Sequence, residues 1–175
     1  MLVRMNFKKN EVDKILKDAV IIVDTREREN QHILNYFDKK KIPYKVEKLN
    51  YADYSICLPV SEYLDKEIYL NNVISIERKG SLEELSGNFT KDRARLEEEF
   101  QRSKGKIFLV IENSSFEDIV DHNYNTNFHE KSFVGTLKAF EARYNFNTSF
   151  IKDKTKAGEF IYKTLIYHAR EHLMK

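Results

Sequence analysis

Apolar positions along the chain change period several times, and each change marks an element. Val20-Ile21-Ile22-Val23 is a continuous apolar run, the pattern of a strand covered on both faces of a sheet. Residues 8–18, ahead of it, fit a short polar helix. From Glu29 to Lys41, Ile33, Leu34 and Phe37 recur at helical spacing, and Pro43 stands just beyond, where a helix cannot continue. Tyr44 to Leu49 alternates with period two, Asn50 to Asp53 can turn, and Tyr54 to Leu58 alternates again before Pro59. Ile68 to Lys79 supplies a third strand, and the three together predict an antiparallel meander.

Ser81-Leu82-Glu83-Glu84 has a hydroxyl at the N-cap and a carboxylate three residues on, which predicts a helix start. Leu82, Leu85, Phe89, Leu96 and Phe100 mark its buried side, with Gly87 an irregularity. Lys106 to Glu112 is a second buried strand, Phe116 to Val120 a short helix and Asn147 to Ile151 a short strand. Phe133, Leu137, Phe140 and Tyr144 form an apolar stripe on a helix over about 130–145. Thr155 to Leu173 is a last helix, with Tyr162, Leu165, Ile166, Ala169 and Leu173 facing inward. Two such stripes exceed what one sheet face can cover, so residues 128–175 are expected to carry surplus apolar surface and to form a homodimer.

A length of 175 residues bounds the chain to one domain: an extension over 1–18, a core over 19–111 and terminal helices over 128–175. The net charge of +2 hides a basic Lys39-Lys40-Lys41, a basic stretch over 152–156 and an acidic Glu97-Glu98-Glu99, so overall charge names no partner. Cys57 is the single cysteine, which excludes an internal disulfide and a cysteine-rich zinc site. No apolar run reaches the roughly 18 residues of a membrane span, and a cytoplasmic chain without membrane association is the simplest expectation.

The richest chemistry lies in Val73-Ile74-Ser75-Ile76-Glu77-Arg78-Lys79. In a strand Ile74, Ile76 and Arg78 point one way, Glu77 and Lys79 the other. A carboxylate and an ammonium two residues apart are what a metal-dependent phosphodiesterase needs, one to hold a hard cation and one to steady a water or phosphate oxygen. A charged strand exit into solvent is the plain alternative. Asp24 ends the first strand, a common place for a site in α/β proteins, although helix capping explains it equally. Asp53 opens another strand, and the meander can bring it beside Glu77, with the register left open.

Asp24-Thr25-Arg26-Glu27, Asp53 and Glu77-Arg78-Lys79 together resemble the nuclease domain of the XPF/ERCC4 family of structure-specific endonucleases. That family carries an upstream Asp-x-Arg-Glu, then Gly-Asp, then Glu-Arg-Lys followed three residues later by Asp. Here Ala52 replaces the glycine and Glu83 the last aspartate, with Glu84 as the other residue able to fill that place. The resemblance implies a restriction-endonuclease-like α/β fold, a central mixed sheet flanked by helices. It implies Mg²⁺ or Mn²⁺ on Asp53 and Glu77, helped by the Arg78 backbone carbonyl, with Asp24 reaching the metal directly or through water. Lys79 orients the water, Arg26, Arg78, Arg93 and Arg95 meet DNA phosphates, and Glu27, Glu83 and Glu84 are accessory acids. Relatives commonly add a helix-hairpin-helix module that this length does not accommodate, so a second copy or a DNA-targeting partner protein is expected.

Two rival readings come from the same residues. Some relatives are inactive binding or scaffolding modules, but they lose the acids or the lysine, and all are present here. His168-Ala169-Arg170-Glu171-His172 matches the H-x-x-E-H pattern of some zinc proteases, yet a packed or solvated histidine pair explains it more simply.

Overall fold

A computed structural model describes residues 6–175. Among these residues seven strands form one sheet: β1 (Val20–Val23), β2 (Tyr44–Val46), β3 (Tyr54–Leu58), β4 (Ile68–Tyr69), β5 (Ile74–Lys79), β6 (Lys106–Glu112) and β7 (Asn147–Ile151). Their order is β2-β1-β3-β5-β6-β7, with β4 hydrogen-bonded to β3. β1 is parallel to β2 and antiparallel to β3, β3 is antiparallel to β5, and β5, β6 and β7 run parallel.

The expected three-strand meander is therefore corrected in two places. β2 does not neighbour β3, because β1 lies between them and pairs β2 in parallel. A parallel pair needs a crossover, and helix α2 (Gln31–Lys40) supplies it, with Ile21 N–H donating to the Pro43 carbonyl at 2.9 Å on the return. The stretch Ile68 to Lys79 is also two strands, split by a turn in which Val73 and Ile74 N–H groups bond the Leu70 carbonyl. Period-two alternation identifies strands but not their neighbours.

Helices cover both faces. On one side α1 (Lys9–Lys17), α2 and α7 (Ala157–Leu173) close over Tyr54, Ile56, Ile74 and Ile76. Residues 1–5 of the expected extension lie outside the described residues, while Val12, Ile15 and Leu16 of α1 join this core. On the other side α3 (Leu82–Thr90), α4 (Arg93–Arg102), α5 (Phe116–Val120) and α6 (Glu130–Tyr144) pack over Ile107, Leu109 and Ile111. The helix foreseen from Ser81 is two, broken at Lys91–Asp92 rather than at Gly87.

The apolar surface foreseen for the terminal helices is largely taken up within the chain, although Tyr144, Tyr162 and Ile166 stay half-buried and Tyr167 is exposed. Phe133, Leu137 and Phe140 of α6, and Leu165, Ala169 and Leu173 of α7, are all fully buried within the one chain. The two helices cover opposite faces of the sheet instead of competing for one.

Candidate active site at the end of β5

All six β5 residues are buried although three are charged, which removes the solvated strand exit as an explanation. Arg78 turns toward the start of α2. Its Nε and Nη2 donate to the two Glu27 oxygens at 3.0 and 2.8 Å, Nη1 donates to Glu112 Oε2 at 2.9 Å, and Nη2 also reaches the Arg28 carbonyl. His32 Nε2 lies 2.7 Å from the other Glu112 oxygen. Burial lowers the Arg78 pKa, the Glu27 bonds outweigh it, and the guanidinium is held firmly charged. Its side chain and that of Glu27 are thus committed to each other, not to a phosphate or an ion.

Glu77 and Lys79 face the opposite side. Lys79 Nζ donates to Glu77 Oε1 at 2.7 Å, while Glu77 Oε2 is buried and has no hydrogen-bond partner. Asp53 joins them because β3 and β5 pair with Tyr54 opposite Ile76. Asp53 N–H donates to the Ile76 carbonyl at 2.9 Å, and its Oδ2 accepts the Arg78 backbone N–H at 2.8 Å. Burial, together with Glu77 and Glu27 nearby, raises the Asp53 pKa well above the usual carboxylate value. Burial also raises that of Glu77, with Lys79 opposing and Glu99 reinforcing. Lys79 stays protonated, since Glu77 and Asp53 outweigh its burial.

Ala52, just before Asp53, is in the left-handed region with φ 64°. For a residue with a Cβ this costs about 1–2 kcal/mol. Its buried N–H donates to Glu99 Oε1 of α4 at 3.0 Å.

Asp24 is placed differently from what its strand-end position implied. Its Oδ1 accepts from Arg26 N–H at 2.9 Å and Arg26 Nε at 2.7 Å, and its Oδ2 from Leu49 N–H at 2.6 Å. Burial pushes its pKa up, those donors outweigh it, and the net shift is downward. Both oxygens are thus used in closing the turn after β1 and in anchoring the segment after β2.

A cleft of about 780 Å³ opens over these groups at the carboxyl end of β5 and β6, the usual position for a site in an open α/β sheet. Asp53, Glu77 and Lys79 line it and Asp24 does not. Of the accessory acids, Glu27 and Glu84 line it, Glu84 accepting from Gly80 N–H at 2.7 Å, whereas Glu83 turns away to the Asn125 N–H. Arg26, Arg78 and Arg95 line it, and Arg93 does not, lying 3.8 Å from Glu97 and over the Phe140 ring. Among the lining residues missed in the sequence are Arg28, His32 and Glu112, together with Glu99 and Arg102 on α4, and Lys154. Arg95, Glu99 and Arg102 fall at i, i+4 and i+7, a stripe legible as one helix face.

The donor set fits a hard cation. Asp53 and Glu77 offer oxygens only, and an unpaired buried Glu77 oxygen is a ligand position with nothing else to satisfy it. No group of three His, Cys, Asp or Glu gathers to hold a metal among the described residues. Mg²⁺ is commonly held by one or two carboxylates and keeps several waters. Of the α7 histidines, His168 is spent otherwise: its Nδ1 lies 2.8 Å from the Thr164 carbonyl and its ring meets Phe108 edge-on.

A mixed sheet with helices on both faces, and an acid–acid–lysine group at the strand ends, defines a restriction-endonuclease-like α/β protein. The chain belongs to the ERCC4-domain family, whose model matches residues 23–164. Its fold is that of XPF from Aeropyrum pernix, with a TM-score of 0.56 and 20% identity over 87% of this chain and 64% of that one. The same archaeal protein in complex with DNA gives a TM-score of 0.57 and 19% identity, covering 87% of this chain. The present chain thus spans 64% and 65% of those two chains. No curated protein matches it.

Proposed function

We propose that this chain is a Mg²⁺- or Mn²⁺-dependent endodeoxyribonuclease that hydrolyses phosphodiester bonds in branched or flapped DNA. The observation that carries this reading is the unpaired, buried Glu77 Oε2 beside Asp53 in a cleft bordered by arginines. Asp53 and Glu77 hold the cation, with the Arg78 backbone carbonyl as a further oxygen. When bound, the ion lowers the pKa of a coordinated water and offsets charge at the scissile phosphate. Lys79, already protonated and 2.7 Å from Glu77, steadies the water or the phosphate oxygen. Asp24 supports the turn and drops out of the ligand set.

Arg26, Arg95, Arg102 and Lys154 take phosphates along the cleft. Arg102 also lines a neighbouring depression of about 350 Å³ with Lys104, Asn50, Tyr51 and Asn72, which continues the path of a strand. Contacts of this kind recognise backbone rather than sequence and weaken with salt. The DNA complex of the archaeal relative supports the same substrate class here. A DNA-targeting partner or a second copy extends the footprint. No helix among the described residues is long and apolar enough to cross a membrane, which accords with action on DNA in the cytoplasm or nucleoid.

The rival is an inactive DNA-binding or scaffolding module. It is favoured by Lys79 already neutralising one Glu77 oxygen and by the lack of a three-ligand cluster among the described residues. Incubating the protein with flaps, forks, junctions and single strands in Mg²⁺ or Mn²⁺ decides between them. The enzyme cuts a branched substrate and stops on chelation, Asp53→Asn and Glu77→Gln fall to background, and Lys79→Ala loses on the order of 10²–10⁴-fold. Binding without cleavage by the parent establishes the scaffold, and three variants that cut as the parent does remove the site.

A further inference from the structure

We infer that Glu99 is a positioning residue for Asp53: it holds Ala52 in a left-handed turn that a glycine would adopt unaided. The inference rests on the nuclease reading for the importance of Asp53, while the geometry behind it stands apart from that reading. Asp53 is fixed on three sides by main-chain geometry. Its N–H meets the Ile76 carbonyl, its carbonyl receives the Asp24 N–H at 2.8 Å, and its Oδ2 receives the Arg78 N–H. All three bonds require the preceding residue to deliver the chain at the right angle, and that residue has φ 64°. A side chain with Cβ resists this conformation, whereas glycine does not.

The compensation comes from α4, 47 positions further along the chain. Glu99 Oε1 accepts the Ala52 N–H at 3.0 Å, and Ala52 is only 1% exposed, so removing Glu99 takes away the acceptor that holds this donor in place. Releasing it favours rotation of the Tyr51–Ala52 peptide toward an ordinary conformation. The rotation would carry Asp53 away from Glu77. Glu99 shares α4 with Arg95 and Arg102, so the helix that meets phosphates also holds the turn ahead of the ligand acid.

Four variants of the full chain test this: Glu99→Ala, Glu99→Gln, Ala52→Gly and the double Ala52→Gly/Glu99→Ala. A displaced catalytic acid costs turnover rather than substrate binding, so Glu99→Ala lowers kcat by about 10–100-fold and leaves KM within about twofold. Glu99→Gln keeps an acceptor oxygen and stays within about threefold of the parent. The double variant regains about tenfold over Glu99→Ala, because glycine no longer needs the bond. Parent-like turnover in Glu99→Ala, equal losses in Glu99→Gln and Glu99→Ala, or a double variant no faster than Glu99→Ala would each overturn the inference. If the parent cuts no DNA, the nuclease reading fails and thermal unfolding reads the coupling instead. Glu99→Ala should then lower the midpoint by about 2–4 °C in the Ala52 protein and clearly less in the Ala52→Gly background. Equal drops in both backgrounds would sink the inference independently of activity.

Discussion

Glu77 and Arg78 are chain neighbours on the same strand, both buried, and they face opposite sides of the sheet. Arg78 makes four side-chain bonds, to both oxygens of Glu27, to Glu112 and to the Arg28 carbonyl. Glu77 has one oxygen bonded to Lys79 and the other to nothing. Both charges are expensive to bury, and only one has been fully compensated. A buried charge with complete partners ties elements of the fold together. One left incomplete is open to a further partner, which the proposed function takes to be a cation.

The comparison breaks most visibly if Arg78 is removed. Arg78→Met strands Glu27 and Glu112 in the interior and should cost about 3–5 kcal/mol in urea unfolding. Glu77→Gln should leave the urea midpoint unchanged or raised in the absence of divalent metal, since it removes a carboxylate whose charge is only half answered. Equal destabilisation by the two variants would show that the faces do not differ.

Asp24 sharpens the contrast at smaller scale, because it resembles Arg78 in being used up. Asp24→Asn weakens three accepted bonds and should cost about 1–3 kcal/mol. Cleavage per folded molecule should stay within about twofold of the parent, because the side chain does not line the cleft. A loss as deep as that of Asp53→Asn would put Asp24 back in the catalytic set.

The smallest effect is in the pH dependence of stability, and its sign separates the two kinds of acid. Asp53 and Glu77 have folded pKa values raised above 3.8 and 4.5, so the folded chain keeps protons that the unfolded chain has released. Stability without metal therefore falls as pH rises from those values toward the folded ones. Asp24 runs the other way: its lowered pKa stabilises above 3.8 and that contribution is lost as pH falls through the folded value. Urea titrations across pH in the double variant Asp53→Asn/Glu77→Gln should lose the decline on the alkaline side and keep the one on the acid side. A decline that persists would assign it to other groups.

Much of the fold was legible because its periods are clean. Stripes such as Phe133-Leu137-Phe140 and runs such as Val20 to Val23 state what they bury. Neighbours across the sheet were not, since nothing local in Tyr44 to Leu49 says that β1 will pair with it in parallel. The site divides along the same line. Asp53, Glu77 and Lys79 could be nominated from residue type and strand position, and so could Asp24, which occupies an equivalent strand end. Only the three-dimensional arrangement shows that Asp24 has spent its oxygens. The partners of Arg78 lie 51 and 34 positions away and leave no periodic trace. Glu99 did leave one, in its stripe with Arg95 and Arg102, but an acid beside basic residues on a helix also reads as surface ion pairing.

The in-phase pairing of β5 with β6, from Ile74 opposite Lys106 to Lys79 opposite Ile111, has a consequence for how the chain reaches its native state. Displacing β5 by one residue while the sheet assembles would exchange its faces. Glu77 and Lys79 would enter the layer where Ile74 and Ile76 meet α7, and Arg78 would leave Glu27 and Glu112 behind. An all-apolar strand could tolerate such a mistake and persist as a trap. A strand charged on both faces would bury unmatched charge in the shifted register, so the residues proposed to cut DNA also disfavour misaligned sheets.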